Sequence, residues 1–393
     1  MNTWITAKQA LAKLGIKPQS LYANVSRGRI RAKPDARDSR RSLYHRQDVE
    51  QVAKRRAGRQ SQNTVAAETI RWGAPLLSSS ITAVIDGQLF YRGQNVVALA
   101  EHAAFEQVCE CLWMTKNVRF ELSKRAQTSK GFELDSPVVD SSLVVLARLA
   151  SQTNPCLGRS NRVLIEEATM IIHQVINAII GEHDTSDTPV HLRLANAWSA
   201  PQAANAIRCA LVLLADHELN ASTFATRVAI STGAPLAAGL LAGLSTLLGP
   251  RHGGAAHAMQ QLVQLSLATS AQSALQATLN SGLPLSAFGH PLYPEGDPRA
   301  RALIQTFDLP LVFAELEALA TDLTGERANI DFALTAVAYA HGLPPDAPFK
   351  IFATARLAGW VAHALEQNHT GKLIRPRAQY VGLAPPAEPI ASL

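Results

Sequence analysis

Two short runs of apolar positions at helical spacing open the chain. Thr6 and Gln9 form a capping-box pattern ahead of the first run, which predicts a helix of about two turns that ends at Gly15. Pro18 suits the first turn of a second helix, which ends near Gly28. Two short helices joined by a tight turn predict a helix-turn-helix.

Residues 29–44 alternate like a two-stranded wing that bears cations, with a polar turn at residues 35–39, and helical spacing resumes at Asp48. This order resembles the winged helix-turn-helix of the MerR and excisionase type over roughly residues 3–56 and makes residues 1–56 a candidate DNA-binding domain. The resemblance implies that the second helix enters the major groove and that the wing lies on the DNA backbone. The candidates to reach base edges are Ser20, Tyr22, Asn24 and Arg27, and those to meet phosphates are Arg29, Arg31, Arg40 and Arg41. The alternative is a small basic domain that packs on the rest of the chain or binds another protein.

Beyond the basic domain the pattern changes. Residues 57–65 are polar and lack an apolar period, as a linker does. Residues 83–93 alternate around Asp86-Gly87, which predicts a hairpin, and residues 97–113 predict a helix. The remaining chain is rich in Ala and Leu and poor in aromatic residues, which favours an all-α, mainly helical protein of two or three domains.

The formal net charge of +6 is distributed unevenly. Residues 1–62 hold fifteen Lys and Arg against four Asp and Glu, whereas residues 63–393 hold 22 against 27. The two parts of the chain are therefore expected to face different partners.

Neither a secretory signal nor a membrane span is expected. The longest strongly apolar stretch, Leu236 to Leu248, has about 13 residues, fewer than the roughly 20 that cross a bilayer. The four cysteines form neither a disulfide framework nor a zinc site by their spacing. We therefore expect reduced thiols, a cytoplasmic location, no membrane partner and no bound metal.

Four motifs in the second half of the chain contain residues suited to catalysis. His217 lies in the run from residue 216 to 227, and His252 lies between Gly-Pro and two glycines. His290 is followed nine residues later by Arg299, and Asp331 has apolar neighbours. An imidazole at a helix amino terminus is expected to stay neutral, and a desolvated carboxylate becomes more basic.

These motifs, in this order, together with the I-D-G, Y-R-G and L-A-E-H-A-x-F-E-x-V segments before them, resemble the citrate synthase family of the short bacterial type. The resemblance implies condensation of acetyl-CoA with oxaloacetate to citrate through an enol, with acetyl-CoA as a substrate and no cofactor. It makes Asp331 the base, His252 the donor to the enolate oxygen, and His290 the group that polarises the second carbonyl. It also implies two helical domains, a large one of residues 66–253 and 342–393 and a small one of residues 254–341.

The resemblance also implies a set of substrate contacts. The residues that match the family's dicarboxylate site are His217, Arg299, Phe352, Arg356 and Arg375. Arginine suits this task because its planar fork holds a carboxylate in one orientation. In the family the arginine that corresponds to Arg375 crosses from the partner subunit, which implies a homodimer.

The sequence departs from the family near the expected CoA site. Pro294 stands where a cation often lies near the CoA phosphates, so Arg251 and Arg377 become the candidates for that contact. Two alternatives to citrate formation stay open. The protein could be a DNA-binding transcription regulator whose citrate-synthase-like body senses a metabolite, or an enzyme that makes 2-methylcitrate from propionyl-CoA or cleaves citryl-CoA.

Overall fold

The computed structural model describes residues 4–14, 21, 24–25, 30–35, 38–50, 77–120, 138–181, 186–378, 380 and 382–383. Contacts within the chain divide it into two units. The first consists of Met1–Ser78 with Arg377–Leu393, and the second of Ser79–Pro376.

The first unit contains a three-stranded antiparallel sheet and a short helix. The strands are β1 (Trp4–Thr6), β2 (Ala32–Asp35) and β3 (Asp38–His45), in the order β1-β3-β2, and the helix is α1 (Ala7–Leu14). The two strands of the predicted wing are therefore present and paired. Strand β1 was not predicted, because three residues are too few to show an alternating pattern.

The capping box that was predicted for α1 is confirmed. The Thr6 amide donates to Gln9 Oε1 at 3.0 Å, and the Gln9 amide donates to Thr6 Oγ1 at 3.3 Å. Ala10 and Leu14 of this helix pack with residues of the sheet in one apolar core. Most of the predicted second helix lies outside the described residues, so the helix-turn-helix stays a prediction.

The second unit is mainly helical, as predicted. It opens with a small sheet of β4 (Thr82–Ile85), β5 (Gln88–Tyr91) and β6 (Gln94–Asn95). The predicted hairpin turn is present, with Asp86 at φ 50° and Gly87 at φ 69°. The helices are α2 (Val96–His102), α3 (Phe105–Trp113), α4 (Val138–Gln152), α5 (Asn161–Ile180), α6 (Val190–Ala197), α7 (Ala204–Leu214), α8 (Ala221–Ser231), α9 (Leu236–Leu247), α10 (Ala255–Ala268), α11 (Ala271–Asn280), α12 (Pro298–Ile304), α13 (Leu311–Thr324), α14 (Ile330–Ala340) and α15 (Ala347–Thr370).

The prediction of one helix over residues 97–113 was wrong. The chain breaks at Ala103 and Ala104, which adopt extended backbone angles between α2 and α3. The Gln107 side chain accepts the Ala104 amide at 2.7 Å and so caps the new helix. Helical periodicity continued across the break, which hid it from the sequence pattern.

Helix α5 is a longer apolar segment than Leu236 to Leu248, which was expected to be the longest. Among the described residues it is the one helix long and apolar enough to cross a membrane, and it is longer than the stretch at Leu236 to Leu248. Most of its apolar side chains are buried in the core, together with the polar side chains of His173 and Asn177. This pattern is typical of the core helix of a globular body.

Two apolar cores within the second unit meet at helix α14. Its residues Ile330 and Leu334 belong to the larger core, which surrounds helix α15. Phe332 and Ala336 belong to a second core, built mainly from α10, α11 and α13. Asp331, in the first turn of α14, therefore lies where the two cores meet.

Candidate active site

His252 lies in a tight turn between α9 and α10 that requires glycine. A Cβ atom on Gly253 would lie 2.2 Å from the Leu247 carbonyl oxygen, and one on Gly254 would lie 2.5 Å from the Pro250 carbonyl oxygen. Real Cβ atoms do not approach that closely, so larger residues would displace the turn. The two glycines therefore allow a close backbone approach beside His252.

The His252 imidazole is held at one nitrogen. Its Nε2 lies 2.9 Å from Ser222 Oγ, which also accepts the Trp360 indole N–H at 3.2 Å and lies 2.8 Å from Asn220 Oδ1. Burial, and then the charge of Arg356, lower the pKa of His252 to about 4. The ring is therefore neutral at pH 7, as predicted, although burial rather than a helix dipole is the main cause.

The other two histidines lie edge to face, with ring centroids 5.0 Å apart. His290 Nδ1 accepts the Leu292 amide at 3.2 Å, so its proton resides on Nε2. His217 Nε2 lies 2.9 Å from the Tyr293 hydroxyl. Burial and the charge of Arg299 lower the pKa of His290 to about 4 and that of His217 well below its usual value.

Arg299 is buried in an ion pair with Asp297. The Asp297 carboxylate accepts Arg299 Nε at 3.0 Å and Nη2 at 2.8 Å, and it also accepts the Ile330 amide at 3.1 Å. Burial alone would raise the pKa of Asp297, but the adjacent guanidinium holds it below its ordinary value. The pair thus anchors Arg299 to the first turn of α14.

Arg356 is buried without such a partner. The residue is 1% exposed, its guanidinium lies 4.9 Å from the centroid of the Phe352 ring, and its Nε and Nη1 atoms have no hydrogen-bond acceptor among the described residues. Burial lowers the pKa of Arg356, against the opposing charge of Asp216. A buried cation with empty donor positions is costly unless an anion joins it, so this arginine is arranged to receive an anionic ligand.

Asp331 is the most basic carboxylate of the site. Burial raises its pKa to about 6, and the charges of Arg299 and Arg356 offset only part of that rise. A position in the first turn of α14 would by itself lower the pKa through the helix dipole, so burial outweighs it. Within residues 186–378 no donor is hydrogen-bonded to the Asp331 carboxylate, which leaves it able to take a proton. The predicted rise in basicity is confirmed.

Asn329 links the loop that carries His290 to the helix that carries Asp331. Its Nδ2 donates to the carbonyl oxygens of Ser286 at 2.9 Å and Gly289 at 3.0 Å. Its Oδ1 accepts the Asp331 amide at 3.0 Å and caps α14. This amide side chain therefore adds to the backbone hydrogen bonds that join the two proposed catalytic elements.

A buried polar network lies behind His217. The neighbouring Asp216 accepts hydrogen bonds from Thr82 Oγ1 at 2.5 Å and from His363 Nε2 at 3.3 Å. His363 Nδ1 faces Arg227 Nη1 at 3.4 Å, and because arginine only donates, the His363 proton must lie on Nε2. His363 therefore belongs to a buried hydrogen-bond network with Asp216.

The remaining predicted contacts are less enclosed. Arg251 and Arg375 are exposed in the second unit, and no hydrogen bond joins either to the buried groups among the described residues. Arg377 is also exposed and belongs to the first unit. These three assignments stay predictions.

The predicted DNA-contacting residues are described only in part. Those outside the described residues are Ser20, Tyr22, Arg27 and Arg29. Arg40 and Arg41 lie in strand β3, with side chains outside the described part, and Asn24 is half-buried. Arg31 is already engaged, because its Nε and Nη2 atoms donate to Asp48 at 2.7 and 2.8 Å. A phosphate contact by Arg31 would have to share or replace that ion pair.

Several positioning side chains were not predicted as site residues. They are Ser222, Tyr293, Asp297, Asn329 and Trp360. The first four lie inside the four sequence motifs, so membership in a motif was the available signal. Trp360 lies one helical turn after Arg356 on α15, on the same face.

Comparison with known proteins agrees with this geometry. The model of the family described as citrate synthase, C-terminal domain, matches residues 70–377. Citrate synthase 2 of Bacillus subtilis is 28% identical, over 79% of this chain and 94% of that protein. A 2-methylcitrate synthase of Shewanella oneidensis is 34% identical, over 44% of this chain and 50% of that protein.

The fold agrees as well. The solved citrate synthase of Thermoplasma acidophilum, in a ternary complex with carboxymethyl coenzyme A and oxaloacetate, matches with a TM-score of 0.65 and 24% identity. The match covers 81% of this chain and 97% of that one. Because the family model matches residues 70–377, most of its length, this chain belongs to the citrate synthase family.

Proposed function

We propose that this protein is an acyltransferase of the citrate synthase type, which condenses acetyl-CoA with oxaloacetate to give citrate and CoA. The observation that carries the proposal is the buried Arg356 guanidinium, whose Nε and Nη1 have no acceptor among the described residues. It lies close enough to His252 and Asp331 for its charge to shift both pKa values. A small carboxylate substrate would supply the missing acceptors.

The first chemical step is removal of a proton from the acetyl methyl group. This step is uphill for a carboxylate, so it requires a raised pKa and a donor at the thioester oxygen where negative charge develops. Asp331 has the raised pKa, and His252 is neutral. Its ring proton lies on Nδ1, as the donor to the thioester oxygen, when the Ser222 hydroxyl turns from Asn220 Oδ1 to donate to His252 Nε2. The product is an enol.

The second step forms the carbon–carbon bond. His290, with its proton on Nε2, donates to the 2-oxo oxygen of oxaloacetate and makes that carbon electrophilic. His217, Arg299, Arg356 and Phe352 hold the dicarboxylate, and Arg375 completes the set. Water then hydrolyses the citryl thioester to release citrate and CoA.

Release of free thiol tests this proposal directly. Purified protein mixed with oxaloacetate and acetyl-CoA should release CoA thiol at a rate that depends on both substrates. No thiol release with acetyl-CoA or propionyl-CoA, over a concentration range that saturates relatives, would contradict the enzyme proposal and favour a metabolite sensor.

A second candidate activity is 2-methylcitrate synthesis from propionyl-CoA. The match to the Shewanella oneidensis 2-methylcitrate synthase supports it. One methylene group changes binding by only about 1–3 kcal/mol, so the ratio of kcat/KM for the two acyl-CoA substrates decides between them. Citryl-CoA cleavage is tested by supplying citryl-CoA and measuring oxaloacetate formation.

We further propose an arrangement of large and small domains, residues 66–253 with 342–393 and residues 254–341, and a homodimer in which Arg375 serves the partner's site. The exposed position of Arg375 supports the dimer, because a substrate arginine that is not enclosed by its own subunit is available to another.

Arg251 and Arg377 are proposed contacts for the CoA phosphates. Their replacement by alanine should raise KM for acetyl-CoA and leave KM for oxaloacetate unchanged.

We also propose that residues 1–56 bind DNA, so that a dimer would match two half-sites. The charge of this segment and its paired wing strands support the proposal. A gel shift with the upstream region of the protein's own operon should weaken steeply as salt rises. An affinity independent of salt would contradict it.

A cytoplasmic location accords with the cysteines, none of which forms a disulfide.

A further inference from the structure

Besides His252, two histidines of the site have one ring nitrogen engaged by a neighbouring protein group. For His290 that group is the Leu292 amide, which fixes the position of the ring proton. For His217 it is the Tyr293 hydroxyl, 2.9 Å from Nε2. Tyr293 takes no part in the proposed mechanism so far, although its hydroxyl lies within hydrogen-bond distance of His217.

Tyr293 contacts three of the proposed site residues. The residue is 2% exposed, and its ring centroid lies 5.0 Å from that of His290. The guanidinium carbon of Arg299 lies 5.1 Å from the same ring, and the hydroxyl reaches His217. The phenol keeps its proton, because burial raises the pKa of Tyr293 to about 12.

The direction of this hydrogen bond follows from the chemistry of the two groups. Within residues 186–378, His217 Nε2 is the hydrogen-bond partner found for the Tyr293 oxygen. A neutral imidazole nitrogen accepts more readily than a phenol oxygen, and a cation over the ring makes the phenol a stronger donor. The hydroxyl therefore donates to Nε2, and the single proton of the neutral imidazole must lie on Nδ1.

We propose that Tyr293 is a positioning residue for substrate binding, whose hydroxyl holds His217 in the one neutral tautomer that offers an Nδ1–H donor to a carboxylate. A carboxylate has only acceptor atoms, so the opposite tautomer would meet it with a lone pair. The identity of the ligand rests on the proposed function, whereas the tautomer is a property of the unliganded protein.

Replacement of Tyr293 by Phe isolates the hydroxyl, because the ring that contacts His290 and Arg299 is kept. KM for oxaloacetate should rise roughly tenfold with kcat nearly unchanged, as expected when a ground-state contact is weakened. The matched control is Tyr339→Phe, which removes a phenol oxygen from a residue that is 47% exposed and packs on Phe313. The control should leave both constants at wild-type values.

A second readout does not depend on activity. In unliganded protein with ¹⁵N-labelled histidine, the His217 signals are assigned by their loss in His217→Gln. They should report a protonated Nδ1 and a bare Nε2, and both shifts should move toward an average in Tyr293→Phe.

The outcomes separate the two proposals. A protonated Nε2 in the wild type, or a Tyr293→Phe protein with unchanged spectrum and KM, would overturn the role of Tyr293. A wild-type protein that turns over no acyl-CoA would overturn the proposed function, while the spectra would still decide the tautomer.

Discussion

Burial sets the protonation states of the residues proposed for catalysis. It lowers the pKa of His252 and of His290 to about 4 and raises that of Asp331 to about 6. At pH 7 the two imidazoles are therefore neutral donors while the carboxylate is an ionised base. Desolvation thus lowers the pKa of the two imidazole donors and raises the pKa of the carboxylate base, and enol formation requires both changes.

Replacement of Asp331 by Asn should lower kcat by about 10³-fold, because the amide cannot take the methyl proton. Binding of oxaloacetate should persist, since the dicarboxylate is held by other residues. Steady-state kinetics and calorimetric titration with oxaloacetate measure the two effects. Residual activity close to that of the wild type would show that another group is the base.

The pH profile should have an acid limb near pH 6. The base must be ionised, so kcat/KM should fall about tenfold per pH unit below the Asp331 pKa of about 6. The histidines, with pKa values of about 4, add nothing until the pH is lower still. Initial rates between pH 4.5 and 8.5 measure this, and an acid limb near pH 7 would instead indicate a titrating imidazole.

Short connections between elements position these residues. Asn329 ties the His290 loop to helix α14 through the Ser286 and Gly289 carbonyl oxygens. The backbone joins the same two segments, through the Gly289 amide to the Arg327 carbonyl oxygen and the Asn329 amide to the Ala287 carbonyl oxygen, so loss of the side chain would loosen this connection without breaking it. Misplacement of reacting groups by about 1 Å can cost about 100-fold in rate.

Replacement of Asn329 by Ala should destabilise the protein by about 1–3 kcal/mol and lower kcat roughly 10- to 100-fold. Asn95→Ala is the matched control, because Asn95 caps helix α2 through the Ala98 amide and contacts no site residue among those described. It should cost about 1 kcal/mol of stability and no activity. Thermal unfolding and steady-state kinetics on both variants measure the difference, and equal kcat values would remove the linking role of Asn329.

The glycine turn before α10 makes a second prediction at this scale. Gly253→Ala would place a Cβ atom against the Leu247 carbonyl oxygen and displace His252, so we expect kcat to fall roughly 10-fold or more. Gly325→Ala is the control, because Gly325 has φ +75° but open space around it. That variant should lose about 1 kcal/mol of stability with normal kcat. Normal kcat in Gly253→Ala would show that the turn adjusts without moving His252.

At the scale of the whole molecule, the proposed dimer makes a quantitative prediction. Arg375→Ala and Asp331→Ala should each be inactive alone. If Arg375 serves the partner's site, one of the two sites in a mixed dimer is complete, and random mixing should restore about a quarter of wild-type activity. If Arg375 serves its own subunit, each mixed site lacks one residue and no activity returns. Thiol release after co-refolding of the two variants distinguishes these cases.

The sequence by itself determined the helical class, the motif residues and two of their protonation states. The glycines beside His252 indicate a tight turn. The apolar neighbours of Asp331 indicate a desolvated carboxylate. Helical periodicity predicted α1 and the helical stretch over residues 97–113, but it could not locate the break at Ala103, which depends on one side-chain cap.

Only the tertiary structure decided which groups meet. The hydroxyl of Tyr293 reaches His217 across 76 positions of the chain, and the indole of Trp360 reaches Ser222 across 138. No local pattern specifies such pairs, because they form only when elements that are distant in the chain pack against each other. The surroundings of Arg356 likewise decide that its Nε and Nη1 have no acceptor among the described residues. The sequence shows that an arginine is present, but it does not show whether an acceptor lies beside it.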